Sequence, residues 1–192
     1  MKARLSFFSL ATILFCSGSL RAQAITIQMD PAQTQIAWTL PDVLHTVQGT
    51  FQLASGSITF DPKTGAATGL FTVDENSAAS SEHMRDRHMK KSILETALYP
   101  TVTFKPTHVS GPYNPQGAST LTVDGIFHLH GADHAQQWMF QVNAHDNHIA
   151  ATTKFEIPYV AWGLRNPSTL FLRVGTSIHM VIDTVGTVQT TP

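Results

Sequence analysis

Among the 192 residues there is one cysteine, Cys16. It lies in an apolar N-terminal stretch, so the body of the chain has no thiol. That excludes disulfides, thiolate nucleophiles and Cys-ligated metals from the body. Charge is scarce as well. Asp, Glu, Lys and Arg make up 13% of the residues, against about a quarter in an average soluble domain. Twelve basic residues face 13 acidic ones, and a chain without a basic excess has no electrostatic footprint for nucleic acid. A Gly-x-Ser-x-Gly turn and a Gly-rich phosphate loop are both missing. Asp74 and Glu75 are adjacent carboxylates, but neighbours on a strand point to opposite sides. The chain is therefore expected not to be an enzyme.

What is present begins with a leader. Lys2 and Arg4 precede a nearly uncharged run, Leu5 to Leu20, and then Arg21-Ala22-Gln23-Ala24. Ala22 and Ala24 occupy the two small-residue positions of a signal-peptidase site. The apolar run is short for a membrane span. Residues 1–24 are thus expected to be a cleaved signal peptide, cut after Ala24, which makes the protein periplasmic or secreted. Phe15 before Cys16 argues against a lipid anchor, since a lipoprotein signal wants a small residue there. Three of the basic residues (Lys2, Arg4, Arg21) belong to this leader and none of the acids does, so the remainder is more acidic still. That remainder suits one domain, expected over 25–186, with 187–192 a short tail.

The pattern after Ala24 has period two. Ile36, Trp38 and Leu40 share a face, as do Val47, Phe51 and Leu53. Ser55-Gly56 breaks the run, and Ile58 and Phe60 resume in a shifted register, the mark of a bulge. Asp61 to Gly65 reads as a turn. Later faces are Val102 with Phe104; Leu121, Val123, Phe127 and Leu129; Trp138, Phe140 and Val142; Ile149, Ala151, Phe155 and Ile157; and Ile178, Met180 and Ile182. Ser80 to Leu98 differs: its composition is helical, Ser80 or Ser81 can cap its start, and Tyr99-Pro100 stops it. About eight strands with one helical insertion near 80–98 predict an all-β, mostly antiparallel domain, either a closed barrel or a sandwich.

Several segments occur in the order of a known family. They are Met29-Asp30-Pro31, Gln35-Ile36-Ala37-Trp38, His45, Val47 to Phe51, and Gly56 to Asp61. Arg85-Asp86-Arg87-His88-Met89, Tyr99 to Phe104, and Val123 to Gly131 follow. Over roughly residues 28–184 the chain resembles the YceI-like family, lipocalin-like barrels described as polyisoprenoid-binding. The resemblance implies a closed barrel with an interior cavity. One stretch departs from it. Where the family carries an Arg and then an acidic-aromatic-Gly turn, this chain has Ile157 to Ser168, which keeps the aromatic-Gly pair Trp162-Gly163 but changes the charges.

An eight-stranded barrel is about wide enough to be filled by side chains or to hold one small ligand. Pattern alone leaves both open for the inward set Trp38, Phe51, Phe60, Phe104, Phe127, Trp138 and Phe155. The resemblance favours an apolar channel lined by these residues and by Trp162. Arg85, Arg87 and His88 form the available cationic cluster for a head group, against the plainer reading of a solvated helix face. His45 is expected to be a satisfied group near a strand end, with head-group contact as the lesser alternative. No metal is expected. His128, His130 and, across a turn, His134 are the weak candidates, but Leu121 to Leu129 define the buried face and put His128 and His130 outside. The expected function is non-catalytic carriage or storage of an elongated apolar lipid. It needs no cofactor, and the bound molecule would be an isoprenoid or an isoprenoid quinone. The alternatives are a filled-barrel interaction or stress-response module, or a quinone- or metal-dependent redox accessory. Transient membrane contact and a homodimer are left open.

Overall fold

The alternation of Leu121, Val123, Phe127 and Leu129 becomes one buried face of a 13-residue strand. The other segments of period two behave alike, because a strand sends successive side chains to opposite sides. The computed structural model describes residues 23–41, 46–168 and 173–191. Most of the expected leader and His45 therefore lie outside the described residues. Nine strands run in chain order: β1 (Ala24–Met29), β2 (Gln35–Leu40), β3 (Val47–Phe60), β4 (Ala67–Ala79), β5 (Thr101–Ser110), β6 (Gly117–Leu129), β7 (Ala132–His145), β8 (His148–Ile157) and β9 (Ile178–Thr191). Among the described residues one α-helix, α1 (His83–Ser92), joins β4 to β5.

These nine strands make a closed antiparallel barrel of eight staves. β1 and β2 share one slot between β3 and β9. The break between them is built by Asp30 and Pro31. The Asp30 carboxylate accepts from Ala32 N at 2.9 Å and from Gln33 Nε2 at 2.6 Å. Pro31 opens a single 3-10 turn, Pro31–Gln33, where its missing N–H costs nothing. Thr34 Oγ1 then bonds Asp30 O and Thr184 Oγ1, each at 2.7 Å, and ties the break to β9. Closure leaves no free sheet edge, the feature that otherwise invites aggregation.

The shifted register at Ser55-Gly56 is a bulge in the β3–β4 ladder between Leu53 and Ser55. Two expectations need correction. The helix is shorter than 80–98, and Glu82 caps it: its carboxylate accepts from Met84 N at 2.9 Å and Arg85 N at 2.6 Å. Ser80 instead bonds the side chains of Asp86 and Arg85. The helix stops at Ser92 because Ile93 and Leu94 turn into the core and Glu95 takes a φ of 52°. The second correction concerns the end of the chain. Residues 187–191 are not a tail but the last part of β9, paired with Ala24 to Gln28 of β1.

The two ends of the barrel differ. At one end, Tyr113 from the β5–β6 loop packs edge-on against Phe60, with ring centroids 5.8 Å apart. At the other, Arg85, His88 and Met89 of α1 face Tyr159, Leu164, Pro167 and Val174, from the chain between β8 and β9, across the mouth. Gly49 is needed there. A Cβ on it would stand 2.2 Å from Ala79 O and 2.3 Å from the Trp38 ring, so its absence lets the indole lie across β3.

Candidate functional site

Inside the barrel, Trp138 is the hinge between a packed half and an open half. Phe104 stacks on it at 4.5 Å, Phe155 stacks on it at 4.0 Å, and Phe127 meets it edge-on at 5.4 Å. Above this cluster lies a cavity of about 80 Å³ whose wall includes Ile36, Phe51, Val73, Glu75, Phe127, Phe155, Met180 and Ile182. Above the cavity, at the mouth, is an apolar cleft of about 510 Å³. It is lined by Trp38, Leu40, Val47, Phe51, Arg85, His88, Met89, Ile93, Pro167 and Val174, among others. Phe51, Leu94, Tyr159, Leu164 and Ile178 wall both spaces. The combined shape is a funnel with a narrow end, in the size range of small-molecule sites.

The predicted residues divide over this funnel. Trp38 and Phe51 line the cleft, and Phe51, Phe127 and Phe155 line the inner cavity. Phe60, Phe104 and Trp138 are buried in the packed half and line neither space. Trp162 is turned away from both and stacks on His134, with centroids 4.0 Å apart and planes 9° apart. Arg85 and His88 reach the cleft, whereas Arg87 faces a separate surface groove with Lys90, Lys91 and Glu95. Arg85 is already engaged: Nε donates to Ser80 Oγ at 2.7 Å and Nη2 to Ser80 O at 2.6 Å. Its fork is thus not presented whole to a phosphate.

The three histidines of the β6–β7 hairpin go to three different partners. His128 Nδ1 lies 2.6 Å from Asp133 Oδ1. His130 is not on a strand: it occupies the turn with a φ of 51°. There it rests on Tyr99 and points Nε2 at Glu95 Oε2, 2.9 Å away. It is therefore half-buried, not outside as the strand pattern implied. His134 lies under Trp162. Among the described residues, no three His, Cys, Asp or Glu side chains gather as a metal site would require.

Glu75, set opposite Asp74 by the sequence pattern, is a site residue that the sequence did not assign to the interior. Val73 and Glu75 lie two apart on β4 and point inward together, while Asp74 between them points out and caps Asn76 N at 2.9 Å. Parity with Val73 was the available signal. Glu75 is 2% exposed, and its Oε2 has no hydrogen-bond partner among the described residues. Desolvation, with a smaller contribution from the Asp74 charge, pushes its carboxyl up to about 8. At neutral pH it is therefore mainly the uncharged acid, which can donate through O–H. The other polar side chain of the wall, Tyr159, donates its hydroxyl to Gly175 O at 2.7 Å. Burial raises that phenol further, so it stays protonated. Trp38 Nε1 is a second buried donor without a partner among the described residues.

Comparison with known proteins places this geometry. Residues 28–186 match the model of the YceI-like domain. A curated relative, Protein YceI of Salmonella newport, is 30% identical over 130 residues, 66% of this chain and 68% of its own. Two solved structures share the fold. BcnA of Burkholderia cenocepacia superposes with a TM-score of 0.67 at 15% identity, covering 82% of this chain and 98% of that one. A polyisoprenoid binding domain from Saccharophagus degradans, implicated in plant cell wall breakdown, gives 0.62 at 14% identity over 84% and 97%.

Proposed function

Because the chain belongs to the YceI-like domain family, we propose that it binds and carries, or stores, an elongated apolar lipid of isoprenoid or isoprenoid-quinone type. The work is done without covalent chemistry, in the periplasm or outside the cell. The funnel carries this reading: an apolar cleft at the barrel mouth narrows into an apolar cavity. A flexible hydrocarbon suits such a shape. Each CH2 moved from water into it gains about 0.8 kcal/mol, and no directional contact is needed along the chain. The signal-like leader supports export, and the solved relative described as polyisoprenoid-binding supports the lipid class. Exchange of such a lipid requires transient contact with a membrane. The mouth, with α1 over it, is the end that would approach.

The test is mass spectrometry of an organic extract of the untagged protein, purified from its native compartment. A stoichiometric isoprenoid or quinone is expected. Clean extracts across growth conditions would refute carriage and leave a barrel that works through its surface.

A further inference from the structure

We propose that Glu75 is the polar contact inside the barrel, donating a hydrogen bond to an uncharged oxygen (ketone, quinone or ether) on the inserted end of the lipid. The proposal rests on the lipid-binding reading and names the class of end group that the narrow end of the funnel accepts.

Three observations carry it. First, Glu75 is 2% exposed and forms part of the cavity wall, while the rest of that wall is apolar except for Tyr159. A carboxyl in such a place is costly unless it is paired. Second, its Oε2 has no partner among the described residues, and the one hydroxyl among the side chains lining the cavity, that of Tyr159, is committed to Gly175. Third, the cavity lies beyond the five side chains that it shares with the cleft. What reaches Glu75 is thus the end of a long molecule, not its middle. A hydrocarbon end would bury the carboxyl without satisfying it. A phosphate end would bring negative charge into an apolar space that holds an acid and no cation on its wall. An uncharged acceptor matches both the acid and the wall. The raised proton affinity of Glu75 keeps the donor in place at neutral pH. A buried polar group that weakens the fold and serves the ligand is a familiar cost of function.

The experiment uses the delipidated protein and three probes with the same farnesyl chain: farnesylacetone, the hydrocarbon of equal length in which CH2 replaces its carbonyl, and farnesyl phosphate. Binding is read by quenching of tryptophan fluorescence. Wild type is expected to hold the ketone about tenfold more tightly than the hydrocarbon, the worth of one net hydrogen bond. Glu75→Leu should erase that preference while still binding the hydrocarbon. Glu75→Gln, whose amide still donates, should keep it. The carbonyl stretch of bound farnesylacetone should move to lower frequency in wild type, a readout that needs no variant. Equal binding of ketone and hydrocarbon by wild type, or a preference that survives Glu75→Leu, overturns the proposal and leaves lipid binding intact. Tighter binding of the phosphate overturns it too, and moves the end group to the rim at Arg85 and His88. If neither the hydrocarbon nor farnesylacetone binds, the lipid-binding reading itself falls.

Discussion

Trp138 lies almost flat on Phe155, with ring centroids 4.0 Å apart and planes 17° apart. That contact divides the interior, because Phe155 faces the cavity and Trp138 does not. The stack is the floor on which an inserted molecule would stop.

Removing the floor should lengthen the cavity. Trp138→Ala is expected to cost about 3–5 kcal/mol, the usual range for a large aromatic in a core. Urea denaturation should show it as a lower midpoint. The same variant should accept longer hydrocarbons than wild type, read by fluorescence titration with a series of chain lengths. An unchanged length preference would mean that the binding surface lies elsewhere.

Glu75 should make the empty barrel weaker as the solution becomes more alkaline. Its carboxyl titrates near 8 when folded, against an ordinary 4.5. Between those values the folded chain holds a proton that the unfolded chain has lost, so rising pH favours unfolding. The stabilisation is complete below 4.5 and gone above about 8. The slope should approach 1.4 kcal/mol per pH unit, roughly, at its steepest. Asp30, Asp61 and Glu82 are shifted the other way, chiefly by hydrogen bonds their carboxylates accept, and act only at the acid end. Unfolding midpoints from pH 5 to 9 should fall for wild type and be nearly flat for Glu75→Gln.

Gly49→Ala tests the seating of Trp38. The added methyl would overlap Ala79 O and the indole, and overpacking of this kind costs about 1–3 kcal/mol. Trp38 must move, so its emission should shift and binding in the mouth cleft should weaken. Ser57→Ala, on the same strand but away from the cleft, should do neither.

Arg85 and Arg87 are two residues apart and should behave differently. Arg85 fastens the start of α1 to Ser80 through two hydrogen bonds, worth about 1–3 kcal/mol together with a charged donor. Arg85→Ala should speed amide exchange across residues 83–94 and hasten lipid release. Arg87, whose guanidinium makes its one side-chain hydrogen bond among the described residues to the Met84 sulfur at 3.8 Å, should tolerate alanine without either effect.

The barrel was legible because its strands alternate. The Ser55-Gly56 break was legible too, since a two-residue period shows a one-residue slip at once. The helix end was not. Glu95 adopts positive φ where its carboxylate meets His130, 35 residues away in sequence, and local composition carries no trace of that. Gln189 to Thr191 read as loose because they are polar. They are ordered by backbone pairing with β1, which needs no apolar side chain. In the site, the aromatic faces were visible but their division into packed and open halves was not, because stacking depends on which rings face each other across the barrel. Glu75 was weighed only with Asp74 as a catalytic pair: alternation sets the two on opposite sides, but which side faces the interior depends on how β4 sits in the closed barrel.

One consequence of the shared slot concerns timing. β1 is zipped to β9 from Ala24↔Thr191 to Met29↔Gly186, so the seam that completes the container joins the earliest strand to the latest. Until β9 is made and threaded across, the other staves form an open trough with no inside. Such distant pairing makes folding slow. A chain that folds from its N-terminus would therefore expose its future lining to the surrounding water, and to any chaperone there, until β9 is in place. Cargo can be enclosed only after the last strand arrives.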